Sequence, residues 1–255
     1  MIVYSKRSVK IAELHFNEDE LVPGGIDVVR FQSRPEKVAG THTYVFHSIV
    51  TDLDGDSEQL LSRMHKSTRN LIRQAIRAND LSFELNAAPD LPLTEEFIHF
   101  FGGFAAQKHL PPINQSRVLG MQASGSLILS RVTAADGSVL VWHSYVRSGK
   151  WARMVHSASL FREAGKGRVA LISRANRYQH WLDMVRLRDL GVELYDFGGW
   201  YTGQQDAEKL RINQFKESFG GRVTHWFNTD KGMTWKGVFV IQARRAANHM
   251  WGKSL

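Results

Sequence analysis

The chain has no cysteine, so disulfides, a thiolate nucleophile and cysteine-ligated zinc are all excluded. A cysteine-free chain also fits a reducing compartment. No apolar run approaches the roughly 18 residues that a spanning helix needs. The polar start at residues 1–7 is not followed by the apolar stretch of a signal peptide, so the cytoplasm is the expected location. No Gly/Ser or Pro tract reads as a flexible linker, and there is no internal repeat. The eleven histidines contain no H-E-x-x-H pattern, and no metal is expected. A G-x-S-x-G serine elbow is missing, which leaves an α/β-hydrolase without support. No glycine loop continues into the Lys-Ser/Thr of a P-loop.

What the chain has in excess is positive charge. A net charge of +8 and a pI of about 9.8 favour anionic partners: tRNA, a nucleotide-sugar pyrophosphate, coenzyme A or an anionic membrane surface. Arg63, Lys66, Arg69, Arg73 and Arg77 lie on one predicted helix over 57–79, with no acid between them. Arg69 and Arg73 are read as substrate phosphate contacts; the alternative is a solvated helix face.

Hydrophobic periodicity supplies the elements. Strands are expected at 9–16, 26–31, 43–50, 81–85, 126–132, 139–146, 151–158, 192–197 and 223–227. Helices are expected at 57–79, 94–108, 115–122, 168–190, 206–218 and 235–251. Thr94 and Asp206 read as helix caps, Asp136-Gly137 as a hairpin turn and Gly191 as a helix stop. Residues 52–56 carry alternating acids but lack the other ligands of a calcium loop, so they read as a turn and cap. Residues 1–41 look like a hairpin-type appendage and 42–255 like the main domain. A three-strand meander followed by helix, strand, helix and strand implies a mixed α/β (α+β) fold, with helices on both faces of the sheet.

Two segments carry the chemistry. Tyr195-Asp196-Phe197-Gly198-Gly199-Trp200 ends a strand, and Asn213-Gln214-Phe215-Lys216-Glu217-Ser218-Phe219-Gly220-Gly221 closes the next helix. Glycine pairs let a ligand approach the backbone. Ligands of open α/β sheets gather beyond the carboxyl ends of strands. Gly198, Gly199, Trp200 and Tyr201 are therefore candidate substrate contacts. Asp196 could orient or deprotonate an amine, or bond the amides of the glycine turn. Lys216 could supply charge to a developing oxyanion. His143 and His156, on neighbouring strands, could face one cavity, with His156 taken as a catalytic base. Arg162-Glu163-Ala164-Gly165-Lys166-Gly167-Arg168 precedes the long helix, where free amides and the dipole favour an anion.

The order and wording of these motifs resemble the second half of the Fem-type (FemABX) peptidoglycan bridge aminoacyltransferases, members of the GNAT-like acyltransferase superfamily. The likeness is best over residues 157–228 and includes Ser173-Arg174-Ala175-Asn176-Arg177; a weaker echo lies in residues 66–75. The resemblance implies a GNAT-like, mostly antiparallel sheet and transfer of an acyl or aminoacyl group to an amine. It implies that Phe215 packs against the donor and that Lys216 stabilises the oxyanion. Arg162, Gly165 and Gly167 match the R-x-x-G-x-G/A pattern with which GNAT enzymes hold the coenzyme A pyrophosphate, with Lys166 and Arg168 adding charge. The implied donor is aminoacyl-tRNA or acyl-CoA. The implied acceptor is a small-molecule or lipid-linked precursor of the cell envelope or of a natural product. Fem-type enzymes carry two GNAT-like domains, whereas this chain has room for one and a partial appendage; a homodimer or a partner would rebuild the missing wall. The rival reading is a non-catalytic GNAT-like module holding RNA or an anionic membrane, with peripheral contact through Trp235, Phe239, Arg244, Arg245 and Trp251.

Overall fold

The computed structural model describes residues 1–159 and 166–250, and of 166 and 248–250 the backbone alone. In chain order the strands are β1 (Ile2–Lys6), β2 (Val9–His15), β3 (Val28–Arg34), β4 (His42–Asp52), β5 (Leu81–Asn86), β6 (Leu127–Ala134), β7 (Val139–Ser148), β8 (Trp151–Ser159), β9 (Leu194–Gly199) and β10 (Arg222–Gly232). The helices are α1 (Ser57–Ser62), α2 (Lys66–Ala78), α3 (Leu91–Lys108), α4 (Gln115–Ala123), α5 (Lys166–Asp189), α6 (Ala207–Glu217) and α7 (Trp235–Met250). All ten strands join one sheet in the order β1-β2-β3-β10-β4-β9-β8-β7-β6-β5. Only β2–β3 and β8–β9 are parallel; the other neighbours are antiparallel.

Helices cover both faces. On one, Phe97, Phe101, Val118, Met121 and Ile241 of α3, α4 and α7 pack on Trp142, Leu129 and Val28. On the other, Leu61, Ile72, Met184 and Leu187 of α1, α2 and α5 pack on Ile128, Tyr145 and Tyr195. Each fully buried side chain of this kind contributes roughly 1.5–3 kcal/mol. Residues 1–41 supply β1–β3, which extend the same sheet through β10; β1 was not anticipated from the sequence. Among the described residues no helix is long and apolar enough to cross a membrane.

Local chemistry sets the helix boundaries. Asp56 caps α1 with a full capping box, exchanging bonds with Gln59. The helix expected over 57–79 is broken at Arg63–His65. Arg69 reaches back to the carbonyls of Ser62 and Met64, and His65 starts α2 as its cap. Asp90 caps α3, not Thr94, whose hydroxyl instead donates to the Asp90 carbonyl one turn back. Asp206 caps α6 as expected, accepting from Glu208 and Lys209.

Candidate active site

Three residue pairs hold β8 to β9: Trp151↔Leu194, Ala152↔Tyr195 and Arg153↔Asp196. Both strands continue beyond that point without pairing to each other. Two local irregularities accompany the parting. The β7–β8 ladder carries a bulge between Ser144 and Tyr145. Gly198 adopts a φ of 76°, and a Cβ there would press to 3.2 Å on the Met154 carbonyl, so the position requires glycine. Between the parted strands lies a cavity of about 340 Å³ walled by Arg153, Met154, Phe197 and Gly198.

Helix α6 brings Lys216 into this cavity. Its Nζ donates to the Gly199 carbonyl at 2.5 Å, which leaves two of the three ammonium protons for another acceptor. Burial lowers the Lys216 pKa to about 8; Asp196 opposes that change, and the Arg153 charge adds to it. Asp196 is fully buried beside it. One carboxylate oxygen accepts the Gly198 N–H at 2.7 Å. The other has no hydrogen-bond partner among the described residues, with Arg153 Nε 4.0 Å away. Burial raises the Asp196 pKa although Arg153, Gly198, Ser48 and Lys216 all favour the anion. Asp196 thus bonds the glycine turn and still keeps one oxygen unclaimed.

A second cavity of about 530 Å³ meets the first at Gly199 and is walled by Phe46, His47, Trp200, Tyr201 and Lys209. Asn213 holds its loop in place, accepting from Tyr201 N at 3.1 Å and donating to Tyr201 O at 2.7 Å. Phe215 looks elsewhere. Its ring packs on Phe219 and His180 under the Arg177 guanidinium, and it lines a third cavity of about 480 Å³ with His65 and Arg211. Phe215 and Lys216 therefore face different cavities, as neighbours about 100° apart on a helix do. The second glycine pair is a packing device. Gly220 has a φ of 80°, and side chains at Gly220 or Gly221 would strike the Arg63 carbonyl or β4.

Behind Phe197 lies a buried polar network. The Tyr145 hydroxyl donates to Asp183 at 2.5 Å and meets the Tyr195 hydroxyl at 3.0 Å, while His143 contacts Asp183 at 2.7 Å and His180 contacts Tyr195 at 2.9 Å. His143 and His156 do not share a cavity. Ser144, not His143, lies opposite His156, so the two histidines point to opposite faces of the sheet. His156 packs against Phe97 and Phe101, its Nδ1 meets the Ser144 hydroxyl at 2.8 Å, and burial lowers its pKa to about 3. It does not line the cavity at Lys216.

The remaining sequence candidates are scattered. Arg69 is spent on helix carbonyls, and Arg73 pairs with Glu58 at 3.8 Å on the surface. Arg168 ties the start of α5 to Asp136 and Ser138 in the β6–β7 turn, and Gly167 lies in the first turn of α5. Arg162 and Gly165 lie outside the described residues, as does the side chain of Lys166. The sequence reading missed Arg153, Arg117, His15 and Gln32. No spacing signal joins them, because only the sheet order and the packing of α4 bring them together.

No protein-family model matches the chain, and no curated protein matches it in sequence. Solved structures do. FemX is 14% identical, with a TM-score of 0.59 over 77% of this chain and 64% of FemX, so the chain spans less than two thirds of that protein. L-PGS from Bacillus licheniformis is 12% identical, with a TM-score of 0.52 over 86% of this chain and 72% of that one. The C-terminal DUF2156 domain of a protein from Agrobacterium fabrum, described as a lysylphosphatidylglycerol synthetase, is 11% identical, with a TM-score of 0.50 over 84% of this chain and 71% of that one. The chain has a Fem/GNAT-like fold.

Proposed function

We propose that this protein transfers an acyl or aminoacyl group from an activated ester or thioester to an amine. The observation that carries this reading is Lys216: an ammonium of lowered pKa, held by the Gly199 carbonyl at the end of β9 and felt by the buried Asp196 carboxylate. Attack by the amine nitrogen forms a C–N bond and a tetrahedral oxyanion. Lys216 meets that oxyanion with its unused protons. The C–O bond of an aminoacyl-tRNA, or the C–S bond of an acyl-CoA, then breaks and the leaving group departs with its electron pair. Asp196, through its unclaimed oxygen, takes the amine proton. Phe215 and the Arg177 face of the third cavity offer a site for an aromatic or phosphate part of the donor.

Charged tRNA and acyl-CoA, each supplied with a small amine, test the reading by mass spectrometry of the product. Amide formation that falls about a hundredfold in Lys216→Ala supports it. No amide from either donor, with the protein folded, overturns it.

One observation favours a membrane-bound acceptor. Trp235 and Phe239, four residues apart on α7, are 84% and 68% exposed, with Lys236 beside them. Sedimentation with anionic vesicles tests this. Binding that Trp235→Ala abolishes supports a lipid-linked acceptor, or the rival role of a non-catalytic membrane module if no amide forms.

A further inference from the structure

The far wall of the Lys216 cavity takes no part in the transfer step above. It is built from His15 of β2, Gln32 of β3, Arg117 of α4 and Arg153 of β8. We propose that this wall binds an anionic group, a carboxylate or a phosphate, carried by the acceptor close to its attacking amine. The proposal rests on the acyl-transfer reading of Lys216 and adds the class of acceptor.

Charge supports it first. Arg117, Arg153 and Lys216 bring three cations to the cavity, against the two buried carboxylates Glu13 and Asp196. Arg30, 3.8 Å from Glu13, lies nearer Asp230 at 3.4 Å, a carboxylate it shares with Arg244 at 3.6 Å. One positive charge is left over, and the excess grows if Asp196 takes up a proton. A monoanion balances it. Burial acts to raise the Glu13 pKa, but the Arg117 guanidinium holds it well below the usual carboxylate range, so Glu13 stays ionised.

Unused donors support it second. Arg117 gives Nε–H to Glu13 at 2.8 Å, and among the described residues its guanidinium makes no other hydrogen bond. Arg153 gives one Nη1–H to Ser33 at 2.7 Å, with its plane over Phe46 at 4.2 Å. Both forks therefore keep N–H groups for a planar or tetrahedral anion. His15 is 1% exposed; its Nε2 stands 3.5 Å from a Glu13 carboxylate oxygen, an ion pair only when the ring is protonated, and its Nδ1 has no partner among the described residues. A buried, unpaired polar group is costly, and a ligand in this cavity would satisfy it. A volume of about 340 Å³ suits a group the size of an amino acid.

The test is calorimetric titration of the full chain with two matched pairs: glycine against glycinamide, and phosphoethanolamine against ethanolamine. In at least one pair the amine that carries the carboxylate or phosphate should bind about tenfold or more tightly than its twin that lacks it. Which pair discriminates better separates a carboxylate from a phosphate. Gln32→Glu, which adds a negative charge to a half-buried part of the wall, should abolish the preference while keeping the circular dichroism of the wild type. The wild-type comparison needs no variant to fold. Equal binding of the twins, or no binding of either anionic amine at millimolar concentration, overturns the proposal. Amide formation without preference on amines that lack an anionic group sinks this inference and leaves acyl transfer standing. Anion-selective binding with no amide from any donor does the reverse.

Discussion

Replacing Lys216 with Met tests the central residue without emptying its space. Met keeps the length of the stem and its packing but removes the ammonium. The wild-type lysine has a folded pKa of about 8 against an ordinary 10.5. That gap corresponds to roughly 3 kcal/mol against the charged form. The sign follows from proton counts. Below pH 8 the lysine is charged in both folded and unfolded chains, and the folded state bears the whole cost. Between about pH 8 and 10.5 only the unfolded chain keeps the proton, so wild-type stability rises with pH. The methionine variant has no such group. Its stability relative to wild type should therefore fall by roughly 3 kcal/mol between pH 7 and 10.5, read from urea unfolding at each pH. Losing the bond to the exposed Gly199 carbonyl shifts both ends alike, because water replaces it. Turnover at pH 7 should drop about a hundredfold or more. Wild-type kcat/KM should decline above pH 8, as the ammonium that meets the oxyanion loses its proton. A stability difference that stays constant with pH would refute the burial argument. Undiminished turnover in the variant would remove Lys216 from the reaction.

Asp196→Asn keeps the acceptor for Gly198 N–H and removes a buried charge. The folded Asp196 pKa is raised, so wild type loses stability as pH climbs from the ordinary carboxylate value through the raised one; melts at pH 4 and 7 should show that loss only in wild type, while amide formation falls about a hundredfold in the variant. Tyr145→Phe removes the hydroxyl that bridges Asp183 and Tyr195, and should cost roughly 2–3 kcal/mol in urea unfolding; a cost below about 0.5 kcal/mol would mean the network is slack. Gly220→Ala forces a Cβ into the Arg63 carbonyl at a left-handed φ and should cost at least about 1–2 kcal/mol. An unchanged melting temperature there would show that the glycine pair serves a ligand and not packing.

The meander β6–β8, the long α5 and the β9–α6–β10 return were readable because each has a clean period or cap: Asp206, Gly191 and the Asp136-Gly137 turn all sit where propensity puts them. The break between α1 and α2 was not readable. It depends on Arg69 reaching two carbonyls, and a basic residue in a basic stripe gives no hint of that. The same limit applied to the site. Gly198, Gly199, Asp196 and Lys216 lie in two consecutive motifs, one ending β9 and one on α6. Arg117 and Arg153 do not, and their joint presence follows from the sheet order and from α4 packing against β1. His156 misled because a histidine on a strand shows its face only once the β7–β8 register is known.

The pairing of β3 with β10 has a consequence for how the protein is made. Ser33 N donates to Asn228 Oδ1 at 2.7 Å, and β3 ends at Arg34 while β10 begins at Arg222. On the ribosome, β1–β3 emerge early and then wait for β10, roughly ten to forty seconds at about 5–20 residues per second. Through that interval the β3 edge has no native neighbour to cover it, which is when a nascent strand is open to capture by another chain. His15 and Gln32 emerge with that early segment and Lys216 emerges just before β10. The cleft thus joins the first strands to the middle of the chain and to α6, and it is complete only after Lys216 has emerged.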